Sequence, residues 1–261
     1  MDNISPRKTF IPQVDGRALD AIKICAALFM VIDHINSTLL DSTRPEMFLI
    51  GRATFPLFCY AIAVGLMKAG ADKAPAYGLK RYAPRLLLFA VLTEPIAQFS
   101  RDIGPTANVL FTLALGAAVA GLTYKMRDWQ IAALSVLAVA LMYLPTPIEF
   151  SSAGVMLPAA FLLTLRGRKL GMPCLLALLA TINMGGFREL LADETAPVFA
   201  FMLLVALAAI VPPLYIIRNV AGLPQDGRYL PKYFLHIFYP LHILLIGLYA
   251  RFAMGMSFSP F

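Results

Sequence analysis

Long apolar runs alternate with short polar clusters from one end of the chain to the other. Val109–Leu122, Ile131–Tyr143 and Val198–Ile217 are examples, each long enough to be a bilayer-spanning helix or a large part of one. The pattern predicts helices over residues 18–40, 46–68, 82–100, 107–124, 129–145, 150–165, 172–190, 197–217 and 231–252. The fold class is therefore an all-α polytopic membrane protein, a bundle of about nine transmembrane helices forming a single integral-membrane domain over 1–261. The span at 150–165 is short and follows Leu144-Pro145-Thr146-Pro147, so it and its predecessor also fit one re-entrant hairpin. The two longest predicted cytoplasmic connections, Gly70–Lys80 and Asn219–Leu230, carry Gly, Pro and charge, as loops do. No internal repeat is visible, which counts against an inverted-repeat transporter.

Composition agrees with a lipid-embedded chain. Of 261 residues 59% are hydrophobic and 14% charged, against about 25% charged in soluble domains, so there is too little polar surface to face water. The first seventeen residues are polar and basic, but the apolar segment after them holds Lys23, Asp33 and His34 and lacks a small-residue cleavage site, so it reads as uncleaved. The net charge of +7 is spread over short interhelical loops, which points to membrane orientation and lipid headgroups and away from nucleic acid. With the N-terminus cytoplasmic, fifteen Lys and Arg fall inside, four outside and three within spans. That asymmetry predicts a multi-pass protein of the bacterial inner membrane with a periplasmic C-terminus.

An ionisable group in hydrocarbon costs several kcal/mol or more unless it is paired or faces an internal cavity. Asp33, His34, Arg52 and Glu94 are the leading candidates on that ground. Lys23 and His34 are eleven residues apart, close to three helical turns, so they share one face about 16 Å apart along the axis. Arg52 enters its helix from the outer side and Glu94 lies about 18 Å into its own from the inner side, so both reach the depth of His34. Asn108 and Asn183 are neighbours expected at the same depth. His242 in mid-bilayer requires a partner and faces the site, accompanied by Tyr239, whereas His236 is expected nearer the headgroups. These two histidines are six residues apart and point about 120° apart, which is no i, i+4 metal pair; no metal is expected. Cys25, Cys59 and Cys174 lie inside predicted spans and read as buried apolar residues.

The run Asp20-Ala21-Ile22-Lys23-Ile24, with Met30-Val31-Ile32-Asp33-His34-Ile35-Asn36 and Arg52-Ala53-Thr54-Phe55-Pro56-Leu57-Phe58-Cys59-Tyr60-Ala61, resembles the TraX family of conjugative-pilus proteins. Lys80-Arg81-Tyr82, Arg85-Leu86, Glu94-Pro95, Asn108-Val109-Leu110-Phe111-Thr112-Leu113 and Tyr239-Pro240-Leu241-His242 extend the resemblance over most of the chain. A broader similarity is to membrane acyltransferases of the acyltransferase-3 type, whose first helix carries a basic residue, ten intervening residues and a histidine, the spacing of Lys23 and His34.

The resemblance implies an acetyl-CoA-dependent N-acetyltransferase that modifies the mature amino terminus of the conjugative pilin subunit. The donor comes from the cytoplasm and the acceptor from the outer face, so the nucleotide end of coenzyme A would dock on the inner rim and its pantetheine arm would thread between helices. On that reading His34 is the general base, a role that suits histidine because an unperturbed imidazole titrates near pH 6.5, close to working pH. Asp33 orients His34 or holds Arg52, Glu94 orients His34 or binds the amine, and Arg52 or Asn108 stabilises the oxyanion. Lys23, Lys80, Arg81 and Arg85 are the phosphate-binding cluster. An acetyl-Cys59 intermediate is disfavoured, because a thiolate is costly in an apolar span. The competing readings are a carbohydrate O- or N-acetyltransferase, a non-enzymatic proton-coupled transporter and a pilin chaperone.

Overall fold

The structure, a computed structural model, describes residues 11–100, 106–142, 144, 146–183 and 196–256. The predicted spans 129–145 and 172–190 therefore run partly outside the described residues, and Arg7, Lys8, Arg101 and Arg188 of the charge count lie outside them. Ten α-helices are described: α1 (Gly16–Leu39), α2 (Pro45–Gly51), α3 (Thr54–Tyr77), α4 (Ala83–Ser100), α5 (Val109–Thr123), α6 (Asp128–Leu141), α7 (Ser151–Leu165), α8 (Gly171–Thr181), α9 (Ala196–Val220) and α10 (Phe234–Phe252). A π-helical stretch, Gly78–Tyr82, joins α3 to α4, and no strand occurs among the described residues. The helical stretches Pro45–Ser100, Pro197–Val220 and Phe234–Phe252 are long and apolar enough to cross a membrane. Four further apolar helices are shorter, over Val109–Thr123, Asp128–Leu141, Ser151–Leu165 and Gly171–Thr181.

The predicted single helix over 46–68 is two helices. Pro56 has no N–H to return to the carbonyl of Arg52, so the ladder of α2 closes in a turn at Arg52 and Ala53, and α3 restarts with the proline in its first turn. The link from α1 into α2 is also pinned. Asp41 and Ser42 take left-handed backbone (φ 49° and 56°), while the buried Asn36 amide donates to Arg44 O (2.9 Å) and accepts from Arg44 N (3.1 Å). These two turns place Asp33, on the last third of α1, beside Gly51 at the end of α2. A Cβ on Gly51 would sit 2.2 Å from Asp33 Oδ1, so only glycine permits that approach.

Small residues let the inner helices meet at backbone distance, as lipid-embedded bundles require in place of a hydrophobic drive. A Cβ on Gly78 would lie 2.7 Å from Ala117 O, and one on Gly121 would lie 3.1 Å from Gly78 Cα. The central α5 thereby packs on α3, α4 and α7, and α10 closes the bundle between α1 and α4. Outward faces are apolar: Leu88 and Leu92 on α4, Leu203 and Leu207 on α9, and Ile237, Leu241 and Leu245 on α10 are all exposed. Rows of leucine spaced by four on an exterior face are the reverse of a water-facing surface and suit lipid.

The Gly78 contact can be tested directly. Gly78→Val should lower thermal stability in detergent by about 1–3 kcal/mol through overpacking against Ala117, whereas Gly222→Ala should be neutral, since its Cβ meets nothing nearer than 3.7 Å. Equal midpoints for both variants, followed by size-exclusion after heating, would remove the close-packed seam from the account.

Candidate functional site

Two cavities meet inside the bundle. The inner chamber, about 150 Å³, has mainly apolar walls from α1, α3, α4, α5 and α10, broken by Lys23, Asp33, His34, Thr54, Glu149 and His236. The second cavity, about 740 Å³, is basic: Lys68, Lys73, Arg85, Arg228 and Lys232 line it with Lys23, against the acids Asp15 and Asp20. Lys23, Ala61, Tyr82, Leu235 and His236 line both, and so form the neck between them.

His34, on the chamber wall and 7% exposed, has its Nδ1 2.8 Å from Nε2 of His242, and the two ring planes are parallel within 2° with centroids 4.9 Å apart. His242 Nδ1 lies 2.9 Å from Phe238 O, a carbonyl that can only accept. In the neutral pair the protons are thereby assigned in sequence. His242 donates from Nδ1 to Phe238 O, its Nε2 accepts from His34 Nδ1–H, and His34 Nε2 is left as the basic nitrogen. An imidazole whose tautomer is fixed from behind is the arrangement a general base needs.

Asp33 does not orient His34 in this structure but holds Arg52, whose Nη2 donates to both carboxylate oxygens at 2.9 and 3.1 Å. The same guanidinium donates to Phe48 O (3.1 Å) and Asn183 Oδ1 (3.2 Å) and lies over the Phe48 ring, so Asn183 joins this cluster as expected. Glu94 and Asn108 are brought together elsewhere. Glu94 accepts from Asn108 N (3.0 Å), Asn108 Nδ2 (2.7 Å) and Gln98 (2.7 Å), while Asn108 Oδ1 caps α5 through Leu110 N. Neither residue lines the chamber, so their observed work is to fix the start of α5 against α4. Tyr239 lines the chamber, its ring 5.7 Å from that of His242. Cys59 is wholly buried and outside the chamber wall.

Of the four residues expected to bind phosphate, Lys23 and Arg85 line the basic cavity; Lys80 and Arg81 are exposed and lie outside its lining, Arg81 stacking over Tyr77. Arg85 Nε is buried without a hydrogen-bond partner, its guanidinium over the Tyr82 ring. The segment that contributes Arg228 and Lys232 is tied to α1 by Asp20, which is 1% exposed. Asp20 accepts from Lys23 (2.8 Å) and from Tyr229 N and Leu230 N (3.1 Å each). At the rim Asp15 caps α1 and pairs with Lys68. Burial acts to raise its carboxyl pKa, but the bonds from Lys68 and Gly16 N–H outweigh that and hold it below the ordinary value. This contact is therefore present at neutral pH and is lost as pH falls through the lowered value.

Sequence reasoning did not single out Glu149, Asp20, Lys68, Lys73, Arg228 or Lys232, and it placed His236 near the headgroups. Glu149 reaches the chamber because the preceding segment pairs with the start of α5, Ala107 N donating to Pro147 O (2.7 Å) and Glu149 N to Ala107 O (3.3 Å). Phe150 then turns the chain at φ 61° and stacks on Phe55 with ring centroids 4.1 Å apart. Among the described residues no three His, Cys, Asp or Glu side chains converge to hold a metal ion.

Comparison with known proteins agrees with the sequence resemblance. The family model described as TraX protein matches residues 18–250, which hold every element of the chamber and the neck. Protein TraX of Escherichia coli is 30% identical over 244 residues, covering 88% of this chain and 86% of that protein. Protein TraX of Escherichia coli strain K12 is 27% identical over 236 residues, with the same coverage. No solved structure matches. The match over nearly the whole length places the chain in the TraX family.

Proposed function

We propose that the chain is a multi-pass inner-membrane acetyltransferase that moves acetyl from cytoplasmic acetyl-CoA to the N-terminal amine of conjugative pilin. The observation that carries this reading is the joining of a basic cavity, large enough for a nucleotide, to a chamber walled by a tautomer-fixed histidine. Family membership supplies the link to conjugation, and the reaction follows from the resemblance to membrane acyltransferases.

On this reading each helix other than α2 crosses once, so that nine crossings run from α1 outward to α10 ending outside, the orientation the charge asymmetry favours. Lys68, Lys73, Arg228 and Lys232, all from predicted cytoplasmic segments, gather at one cavity and support the same sidedness. The phosphates of the donor would sit among these cations with Arg85, and the thioester would reach the chamber.

The chemistry is then direct transfer. The amine nitrogen attacks the thioester carbonyl carbon while His34 Nε2 takes its proton, a C–N bond forms and the C–S bond breaks. The proton passes from His34 to the departing thiolate, so coenzyme A leaves as the thiol. His242 is a positioning residue that holds the proton on His34 Nδ1. Arg52, engaged by Asp33, is a fixed positive charge behind that wall, and Glu149 is a carboxylate placed to attract an ammonium acceptor.

Intact mass of the pilin from cells carrying wild-type, deleted or His34→Ala chain tests this. The increment of one acetyl group should appear with wild type alone; identical masses in all three would exclude the pilin reaction and send attention to carbohydrate acceptors. In the purified enzyme, His34→Ala should lower kcat roughly 10²–10⁴-fold. His242→Ala should lower kcat by less, with KM for acetyl-CoA unchanged, and His242→Gln should recover part of the loss because its amide oxygen still accepts from His34 Nδ1–H. A His242→Ala effect confined to KM would contradict the positioning role.

A further inference from the structure

His236 stands in the first turn of α10, at the neck, where it lines both cavities. Phe89 packs on its ring with centroids 4.6 Å apart and Tyr233 lies at 6.0 Å, so the imidazole is held in place by aromatic neighbours. Both ring nitrogens are shielded from solvent, and neither has a hydrogen-bond partner. A buried polar atom left in this state forfeits its hydration with nothing in return, and a side chain with two such atoms calls for an explanation. The other polar groups at this point are the Lys23 ammonium, which only donates, and the Tyr82 phenol, whose ring lies under Arg85; His236 is the neck side chain with two buried polar atoms that both lack a partner.

Any molecule that spans from the cations of the basic cavity to His34 passes this residue. The acetyl-CoA reading puts the pantetheine arm there, a chain with two amides, each carrying one N–H and one C=O. A neutral imidazole presents the complementary pair. We propose that His236 is the residue that recognises the pantetheine arm, one ring nitrogen donating to an amide carbonyl and the other accepting an amide N–H. This assignment rests on the donor reading above and deepens it. It gives the neck a selective function: a phosphate-bearing molecule without an amide arm occupies the basic cavity but gains nothing at His236, so the chamber is reached only by donors of the pantetheine class.

The test uses the full chain in lipid nanodiscs and two probes: coenzyme A, and 3′-phosphoadenosine 5′-diphosphate, its nucleotide end without the arm. His236→Ala should weaken coenzyme A binding about tenfold while leaving the nucleotide affinity unchanged, which also reports that the basic cavity is folded. His236→Gln, which keeps one donor and one acceptor, should recover part of the loss. Unchanged coenzyme A affinity in His236→Ala, or an equal loss for both probes in both variants, would overturn the proposal. Failure of the wild-type chain to bind coenzyme A would instead strike the donor reading itself, and this inference with it.

Discussion

A charge inside a lipid-embedded bundle must find its partner within the bundle, and the interior of this protein is organised around that constraint. The Asp33–Arg52 pair meets it most fully. The guanidinium spends its donors on the carboxylate, on Phe48 O and on Asn183, and so ties α1, α2 and the end of α8 to one point. The two turns that bracket α2 and the bare backbone of Gly51 exist at the distances this pair requires. Lower in the bundle Asp20 plays a similar part, holding Lys23 and the segment before α10. With Asp33 and Lys23 each held in an ion pair, His34 and His236 are the chamber groups able to exchange a proton without adding a permanent charge to the wall.

On the proposed reading the same arrangement separates two tasks along one path. Binding a phosphorylated donor needs many cations, which the basic cavity gathers at the rim. The proton transfer proposed for His34 needs a fixed tautomer, which the His34–His242–Phe238 chain supplies in the chamber. The neck between them is built from one residue of each character, the cation Lys23 and the imidazole His236, with Ala61, Leu235 and Tyr82 completing it.

How much of this was legible in the sequence depended on the range of the interaction. Helical periodicity put Lys23 and His34 on one face, and both line the chamber. The isolated charges Asp33 and Arg52 announced a pair by their cost alone, and Asn183 was found with them. Glu94 and Asn108 announced themselves equally, but they satisfy one another at the cap of α5, a partnership sequence distance does not reveal. The division of the second span was hidden because its apolar run continues through Arg52 and Ala53; the missing N–H of Pro56 was the local signal. Glu149 and the cations of Lys68, Lys73, Arg228 and Lys232 were not legible. Glu149, Arg228 and Lys232 lie in connections, and Lys68 and Lys73 flank the break of α3 at Gly70, in or beside a stretch whose composition reads as a loop; only tertiary packing turns them toward a cavity.

The central claim is that the two cavities are one route, with a donor entering from the basic rim and presenting its thioester to His34. A cryo-electron microscopy structure of the chain in nanodiscs with coenzyme A tests it most directly. The account predicts nucleotide density among Lys68, Lys73, Arg85, Arg228 and Lys232, the arm passing between Lys23 and His236, and the sulfur beside His34. Coenzyme A bound outside this path, or an arm turned away from the neck, would contradict it.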